Sequence, residues 1–381
     1  MKKDYGKLAL EQTKKTKGKL EIRSKVNLES REDLATAYTP GVAAVSRLLA
    51  EKPELASQYS IKANSVAVVS DGSAVLGLGN IGPLGALPVM EGKAILFKEF
   101  AGVDAYPIVL NTQDPDEIVK TVKNLAPGFG GINLEDIAAP NCFYIEDELQ
   151  NLGIPVFHDD QHGTAVVVLA ALINAAKVVG KEMKNLQVVI NGAGAAGQAV
   201  AKILLGFGVK ELILVDSKGA IYTGRGQLDR NKEKLAQLTN KDRVVGQLDK
   251  AIAGKDVFIG VSKAGLLTQG MVRSMNEAPI VFAMANPNPE IEPALAKKAG
   301  AVVVGTGRSD FPNQINNVLA FPGIFRGALD RGAKRITKEM KLAAALALAK
   351  EVGRPHSEQI VPSPLDKKVA KKVAAAVYKA A

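Results

Sequence analysis

The chain has few cysteine and aromatic residues, and these shortages argue against several classes of function. It contains one cysteine, Cys142, so no disulfide can form within it, which favours a reducing cytoplasm. It has no tryptophan and only 5% aromatic residues. Base-stacking proteins usually interleave aromatic with basic residues, so we assign the net charge of +10 to a solvated surface and expect no nucleic-acid partner. The longest apolar run, 164–173, is too short to cross a bilayer, and we expect no membrane association.

The residues that are present indicate an α/β protein of two domains. A length of 381 residues with 47% hydrophobic and 23% charged residues is ordinary for a globular enzyme of that size. Strand patterns alternate with helical ones, which is typical of parallel sheets. Strands are predicted at 66–70, 94–97, 106–110, 154–157, 186–190, 212–215, 257–260, 280–284 and 302–305. Helices are predicted at 116–125, 164–180 and 195–205 and over most of the polar residues 1–60.

A glycine turn in the second half of the chain predicts a dinucleotide site. The turn follows the predicted strand 186–190 and opens a helix, which is the context that a Rossmann-type site requires. Its residues are Gly192, Gly194, Ala195, Ala196 and Gly197. The first glycine permits the turn, the second lets the pyrophosphate approach the backbone, and the third lets helix and strand pack. The ordinary alternative is a plain strand–helix turn in a core, which this context disfavours.

The residues after the next strand bear on the choice of dinucleotide. Asp216 ends the strand 212–215 at the position where a carboxylate accepts hydrogen bonds from the adenosine ribose, which favours NAD over NADP. Ser217 and Lys218 follow, and a lysine there could meet a 2′-phosphate. NADP therefore stays open.

Two pairs of acids lie at the ends of apolar runs. Glu135 and Asp136 follow a short strand, and Asp159 and Asp160 lie at the start of a helix. Carboxylate oxygens suit Mg²⁺ or Mn²⁺. Solvated loop acids or a helix cap are the ordinary alternatives, but two adjacent acids exceed what a cap requires. His158 and His162 do not predict zinc, because that stretch crosses from strand to helix.

Four further side chains become candidates only in combination. Lys93 follows Glu91-Gly92, and a buried lysine beside an acid can have a lowered pKa and act as a base. Tyr38 precedes a Thr-Pro-Gly turn, while Asn286 and Asn317 lie past strands or at helix starts. A surface lysine, a loop tyrosine and turn asparagines are the commoner interpretations of each one alone.

Together these segments resemble a malic enzyme of the short prokaryotic type. The resemblance is carried by motifs in the same order along the chain, from about residue 20 to about residue 370. They include Tyr38-Thr39-Pro40-Gly41-Val42, Glu91-Gly92-Lys93, Asn133-Leu134-Glu135-Asp136-Ile137, His158-Asp159-Asp160-Gln161-His162-Gly163-Thr164 and Gly305-Thr306-Gly307-Arg308-Ser309-Asp310, besides the glycine turn.

The resemblance implies oxidative decarboxylation of L-malate to pyruvate and CO₂ with NAD or NADP and Mg²⁺ or Mn²⁺. It implies Glu135, Asp136 and Asp160 as metal ligands. It further implies the roles of base for Lys93, its proton-network neighbour for Asp159, acid at C3 for Tyr38, and substrate hydrogen bonding for Asn286 and Asn317. One departure stands out: Ala74 occupies the place of an arginine that clamps a substrate carboxylate in larger malic enzymes.

The expected organisation is a catalytic domain over 1–158, completed by 317–381, and a Rossmann-type NAD(P)-binding domain over 159–316. We expect a cytoplasmic homodimer with its active site between the domains. Three alternatives remain: a malolactic-type enzyme that retains NAD and releases lactate, a metal-free two-domain dehydrogenase, and a catalytically silent nucleotide-binding regulator.

Overall fold

Two β-sheets organise the chain in the computed structural model, which describes residues 4–75 and 77–381. The first sheet has the strand order β2-β1-β3-β4 and is parallel throughout. Its strands are β1 (Ser65–Ser70), β2 (Asp104–Val109), β3 (Gly131–Leu134) and β4 (Val156–His158). The predicted α/β class is confirmed.

The second sheet has the order β10-β9-β8-β5-β6-β7 and is parallel except for the β6–β7 pair at one edge. Its strands are β5 (Gln187–Asn191), β6 (Glu211–Asp216), β7 (Gly219–Ala220), β8 (Val257–Gly260), β9 (Ile280–Ala283) and β10 (Val303–Thr306). The glycine turn lies between β5 and the next helix, where strand order reverses around β5. Open parallel sheets bind ligands at such a switch point.

Helices precede, connect and follow the sheets. The N-terminal ones are α1 (Tyr5–Thr16), α2 (Arg31–Ala37), α3 (Val42–Glu51) and α4 (Ala56–Tyr59). Within and between the sheets come α5 (Gly82–Ala101), α6 (Pro115–Leu125), α7 (Asn141–Leu149), α8 (Asp159–Val178), α9 (Ala195–Phe207), α10 (Arg230–Ala236), α11 (Leu248–Ile252), α12 (Gln269–Arg273) and α13 (Pro293–Lys298). The last three are α14 (Phe321–Arg331), α15 (Lys338–Glu351) and α16 (Lys367–Ala380).

Helix α8 is the central element of the core. It is apolar and long enough to cross a membrane by composition, but most of it is buried inside the protein against α9 and α15. The sequence predicted this helix at 164–180, and it begins earlier, at Asp159. The earlier start places both adjacent acids in its first turn.

The C-terminal helices pack on the first half of the chain. Helices α14 and α16 contact each other closely and both touch α5. At Gly323 a Cβ would lie 2.6 Å from the Val373 Cβ, so the glycine is what lets the two helices approach. This packing agrees with a first domain completed by 317–381, although the domain boundaries themselves stay a prediction.

One predicted strand is wrong. Residues 94–97 belong to helix α5, which runs from Gly82 to Ala101. Ala94 and Phe97 are buried, and a short apolar run has no periodicity that separates a buried strand from a buried helix. The remaining predicted strands all coincide with observed ones within two residues at either end.

Candidate active site

Strand register brings the two acidic pairs to one edge of the first sheet. Leu134 at the end of β3 pairs with His158 at the end of β4. Because the strands are parallel, the residues that follow them, Glu135 and Asp159, leave the sheet side by side. The backbone N–H of Glu135 also donates to Val69 on β1 at 2.9 Å, which fixes the start of this loop.

Lys93 lies between these carboxylates and is almost fully buried. Its Nζ is 2.6 Å from Asp159 Oδ2 and 3.0 Å from Glu135 Oε1. The ammonium also lies 4.5 Å from the ring centroid of Phe321, at the start of α14. Asn133 holds the other oxygen of Glu135 through a 2.9 Å hydrogen bond from its Nδ2. A buried lysine with two carboxylate partners has its charge compensated.

Burial alone is expected to lower the pKa of Lys93, but this arrangement raises it. Burial does favour the neutral amine, but Asp159 and Glu135 outweigh it and raise the pKa of Lys93 above its ordinary value. Burial and the neighbouring carboxylates raise the pKa of Glu135. The raised pKa of Glu135 works against the raised pKa of Lys93, because a protonated Glu135 no longer stabilises the ammonium. The 2.6 Å contact favours a charged lysine paired with an ionised Asp159.

Glu135, Asp136 and Asp160 converge as a candidate metal site. Each offers a carboxylate oxygen, and these oxygens lie within 4.8 Å of one another. Asp160 Oδ2 accepts the backbone N–H of Asp136 at 2.8 Å. Asp136 has a φ of 54°, a left-handed conformation that few residues other than glycine adopt and that often marks functional loops. Three gathered carboxylates repel one another, so this donor set fits a hard divalent cation.

A cleft of about 660 Å³ extends from the glycine turn toward this site. Gly192 and Gly194 line it, and so do Ala139 and Pro140, which follow the Asp136 loop in the chain. Its size is within the range of cofactor sites. Gly192 has a φ of 117°, and Gly197 lies under the turn, where a Cβ would meet the Gly192 carbonyl oxygen at 1.7 Å. The N-terminus of α9, at Ala195 and Ala196, follows this turn and suits a pyrophosphate.

The structure does not bring every predicted residue to the buried acids. Tyr38 is 63% exposed, and among the described residues no hydrogen bond joins it to the acids. Asn286 is exposed on the loop after β9, where its backbone carbonyl lies against Gly77. Asn317 is nearer, since both its Cβ and the Asp159 carboxylate lie against Gly163. The catalytic and substrate-binding roles of these residues stay predictions.

Ala74 is adjacent to the acidic loop. Its backbone N–H donates to the Asp136 carbonyl at 2.9 Å. The side chain of an arginine at this position would therefore begin next to the candidate metal ligands. The alanine side chain cannot contact a substrate carboxylate in that way. Cys142 is also close in sequence, but burial raises the pKa of its thiol to about 12, so it does not act as a nucleophile at neutral pH.

Glu146 is a buried acid that the sequence did not single out. It projects from α7, and its carboxylate accepts hydrogen bonds from the His158 backbone N–H at 3.2 Å and from Gln161 Nε2 at 3.1 Å. His162 Nε2 lies 2.8 Å away from Oε1. One carboxylate thus holds three residues that flank Asp159 and Asp160. The sequence predicted no helix here, and the signal that could have found this acid is its place directly after the apolar run 142–145.

The charge state of this group follows from its surroundings. Burial opposes ionisation of Glu146, but His162 and the nearby Lys341 hold its pKa at about 2. Burial lowers the pKa of His162, so a neutral ring that donates its Nε2–H is the form favoured at neutral pH. Burial likewise lowers the pKa of Lys341 to about 8. An ionised Glu146 is therefore the stable acceptor for the β4–α8 turn.

We predict that Glu146→Gln lowers the free energy of unfolding by about 1–3 kcal/mol, because hydrogen bonds to a charged acceptor are lost and Lys341 loses its counter-charge. Chemical denaturation followed by circular dichroism measures this. Glu148→Gln on the same helix is the control: Glu148 is exposed, its pair with Lys123 is 3.7 Å long, and we expect a change within about 0.5 kcal/mol. Equal losses in the two variants would contradict the proposed role of Glu146 in holding the turn between β4 and α8.

Comparisons with known proteins show which family the chain resembles. Residues 17–150 match the family described as malic enzyme, N-terminal domain, and residues 161–381 match malic enzyme, NAD binding domain. The chain is 59% identical to the bifunctional malic/malolactic enzyme of Bacillus subtilis, over 98% of this chain and 92% of that protein. It is 57% identical to the NAD-dependent malic enzyme of Geobacillus stearothermophilus, over 96% of this chain and 77% of that protein.

A solved structure gives the same result. The NAD-dependent malic enzyme of Thermotoga maritima superposes with a TM-score of 0.94 at 51% identity, covering 97% of this chain and 98% of that one. Relatives at 46–48% identity include both NADP-dependent and NAD-dependent malic enzymes by name. The chain belongs to the malic enzyme family.

Proposed function

We propose that this chain catalyses the oxidative decarboxylation of L-malate to pyruvate and CO₂, with reduction of NAD or NADP and with Mg²⁺ or Mn²⁺ bound at Glu135, Asp136 and Asp160. The observation that carries the proposal is the buried contact of Lys93 with Asp159 and Glu135 beside those three carboxylates. A base, a partner for its proton and a hard-cation site then meet near a dinucleotide cleft. A catalytically silent nucleotide-binding regulator would not need a base, a partner for its proton or a cation site.

Each residue of the site has a proposed role in the reaction. Lys93 takes the proton of the malate C2 hydroxyl, after passing its own proton to Asp159 at 2.6 Å. Burial raises the pKa of Asp159, which suits it to hold that proton. A divalent cation at the acidic triad would polarise the C2 oxygen and, by neutralising Glu135, lower the pKa of Lys93. Asn317 and Asn286 are the proposed hydrogen-bond partners of the substrate, and Tyr38 donates the proton that C3 takes up after its carboxylate leaves as CO₂.

NAD is the proposed preferred acceptor. Asp216 ends β6 and lines the cleft, where its carboxylate suits the ribose hydroxyls of NAD. The Geobacillus relative at 57% identity carries an NAD-dependent name, which supports the same preference. We also propose a cytoplasmic location.

The first prediction for this function concerns turnover. We expect L-malate, Mn²⁺ and NAD to give pyruvate and free NADH in stoichiometric amounts, and EDTA to abolish the reaction. The assay follows absorbance at 340 nm together with pyruvate and lactate. Lactate without free NADH would identify the malolactic alternative, which the name of the Bacillus relative favours as a second activity. Activity that survives EDTA would contradict metal dependence, and no turnover with either dinucleotide would contradict the proposal.

The second prediction separates the base from the acid. Lys93→Ala should lower kcat for malate oxidation by about 10²–10⁴-fold, the usual contribution of a positioned base. Tyr38→Phe should mainly slow proton exchange at C3 of pyruvate, measured by NMR in D₂O. Lys98→Ala is the matched control, since Lys98 lies on the same helix and is 58% exposed. Unchanged turnover and exchange in both site variants would discard the assignments.

A homodimer is also proposed, from the exposed apolar side chains of the N-terminal region. None of the residues of helices α1 to α4 is buried. The N-terminal surface consists of Tyr5, Leu8, Leu10, Leu20, Ile22, Val26, Leu28, Leu34 and Val45. Large exposed apolar areas mark protein interfaces, and these apolar side chains all lie within the first 45 residues. A second copy of the chain packed there would also take Tyr38, which lies in the same region, out of bulk water.

The third prediction tests this surface. Sedimentation velocity should show a dimer for the natural chain and a shift toward monomer for Ile22→Glu, because Ile22 is 91% exposed and a charge there could not be buried at an interface without a partner. Leu365→Glu, 82% exposed but outside the N-terminal surface, should leave the dimer intact. A monomer in the natural chain would contradict the homodimer, and equal behaviour of the two variants would place the interface elsewhere.

A further inference from the structure

A buried carboxylate joins two loops at the edge of the second sheet that carries the glycine turn. The strand register places Asn191, Gly260 and Ala283, the last residues of β5, β8 and β9, at the same level of the sheet. These strands are parallel, so the loops that follow them leave at the edge where open sheets bind ligands. Glu290 lies in the connection between β9 and α13, and it is fully buried.

Glu290 accepts one hydrogen bond from each of the two loops. Its Oε1 accepts the backbone N–H of Ser262, after β8, at 3.1 Å, and its Oε2 accepts the backbone N–H of Ala285, after β9, at 3.0 Å. Burial raises the pKa of Glu290, and the two backbone donors offset part of that rise. Because each carboxylate oxygen holds a different loop, the side chain fixes the separation of Ser262 and Ala285.

A glycine at the end of β8 makes room for this carboxylate. A Cβ at Gly260 would lie 2.4 Å from Cδ of Glu290, which is closer than two such atoms can approach. The φ of Gly260 lies outside the left-handed region, so the backbone itself would accept another residue. The glycine is therefore required for space, and the space is filled by Glu290.

The loop after β8 belongs to the dinucleotide cleft. Ser262 and Lys263 line this cleft together with Gly192. Asn191 Nδ2 donates to Ser262 Oγ at 3.1 Å, which ties the serine side chain to the strand that leads into the glycine turn. The backbone donor to Glu290 thus comes from a residue that is already held in the wall of the cofactor cleft.

The loop after β9 carries Asn286, which is exposed and is a proposed partner of the substrate. Ala285, which donates to Glu290, directly precedes it. A Cβ at Gly77 would lie 1.9 Å from the Asn286 carbonyl oxygen, and one at Gly307 would lie 2.9 Å from Asn286 Nδ2. Contacts this close leave Asn286 little freedom of its own. Its position therefore follows that of the backbone at Ala285.

We propose that Glu290 is a positioning residue that couples binding of the dinucleotide to binding of malate. The inference rests on the proposed function, since it takes malate as the substrate and Asn286 as one of its partners. A dinucleotide that orders Ser262 acts on Ala285 through the two hydrogen bonds of one carboxylate, and malate at Asn286 acts in the opposite direction. Coupling between two ligands is reciprocal, so each should raise the affinity of the other by the same factor.

The test measures binding of NADH to the full chain with and without malate. NADH and L-malate are both reduced, so in the presence of Mn²⁺ they form a complex that cannot react. The chain has no tryptophan, so NADH is excited directly and its fluorescence reports binding. For the natural chain we expect saturating L-malate and Mn²⁺ to tighten NADH binding by at least about fivefold, the lower end of usual coupling between sites.

The variant Glu290→Gln should reduce this coupling factor to below about twofold, because one of the two loops is released. Glutamine has nearly the same shape as glutamate, but its amide NH₂ group cannot accept a backbone N–H. Glu292→Gln is the matched control: Glu292 is exposed, and its side chain makes no capping hydrogen bond at the start of α13. We expect this control to keep the coupling factor of the natural chain.

Gly260→Ala is a second variant, and it keeps the carboxylate. The added Cβ would displace Glu290 from its place between the loops, so it should lower the same coupling factor. Circular dichroism establishes which variants fold. Where Glu290→Gln does not fold, a folded Gly260→Ala chain with the coupling factor of the natural chain would overturn the inference.

The remaining outcomes separate this inference from the proposed function. A natural chain that oxidises malate but binds NADH equally with and without it would overturn the inference and leave the proposed function standing. Equal coupling factors in Glu290→Gln and Glu292→Gln would do the same. So would a Glu290→Gln chain that binds NADH more weakly by the same factor in both conditions, because that result reports a structural role alone. A natural chain that does not turn over malate would overturn both.

Discussion

The buried ammonium of Lys93 is the constraint on which the rest of the site depends. A charge in this environment is tolerated only when opposite charges lie against it, and Asp159 and Glu135 do so at 2.6 and 3.0 Å. Glu135 follows β3 and Asp159 begins α8, so the ion pairs hold the edge of the sheet, the first turn of α8 and the middle of α5 in one arrangement. Any change that moves one of the three leaves a buried charge without its partner.

This constraint also explains why the acids can gather at all. Glu135, Asp136 and Asp160 repel one another, and a protein without a counter-charge would separate or protonate them. Lys93 neutralises part of that charge within the fold, while the backbone N–H of Asp136 and the amide of Asn133 occupy carboxylate oxygens. The residual negative charge is what a divalent cation would neutralise. The partly compensated acids therefore form a donor set that fits a divalent cation.

Much of this arrangement could be predicted from the sequence, because it depends on local rules. The glycine turn has its strand, helix and Asp216 in order, and the ends of parallel strands meet at one edge, so Glu135 and Asp160 could be placed together. What could not be predicted depends on packing between distant segments. Residues 94–97 have strand composition but are buried within α5, and the Lys93 pKa is set by acids that lie far along the chain. Lys232 rather than Lys218 lines the cleft, because α10 brings the Lys232 ammonium to 3.7 Å from the Asp216 carboxylate.

The same reasoning extends to the support behind the acids. Helix α8 carries Asp159 and Asp160 in its first turn and forms the core with the rest of its length. Glu146 fixes its start, and near its other end the buried Asn174 donates to the carbonyls of Ala349 and Ile360, each at 2.9 Å. The C-terminal helices are thereby tied to the helix that positions the acids. Because densely packed interiors transmit strain, we expect a loss of anchoring at Asn174 to disturb the first turn of α8 as well. The C-terminal segment is therefore part of the support of the site, although its anchor lies at the far end of α8.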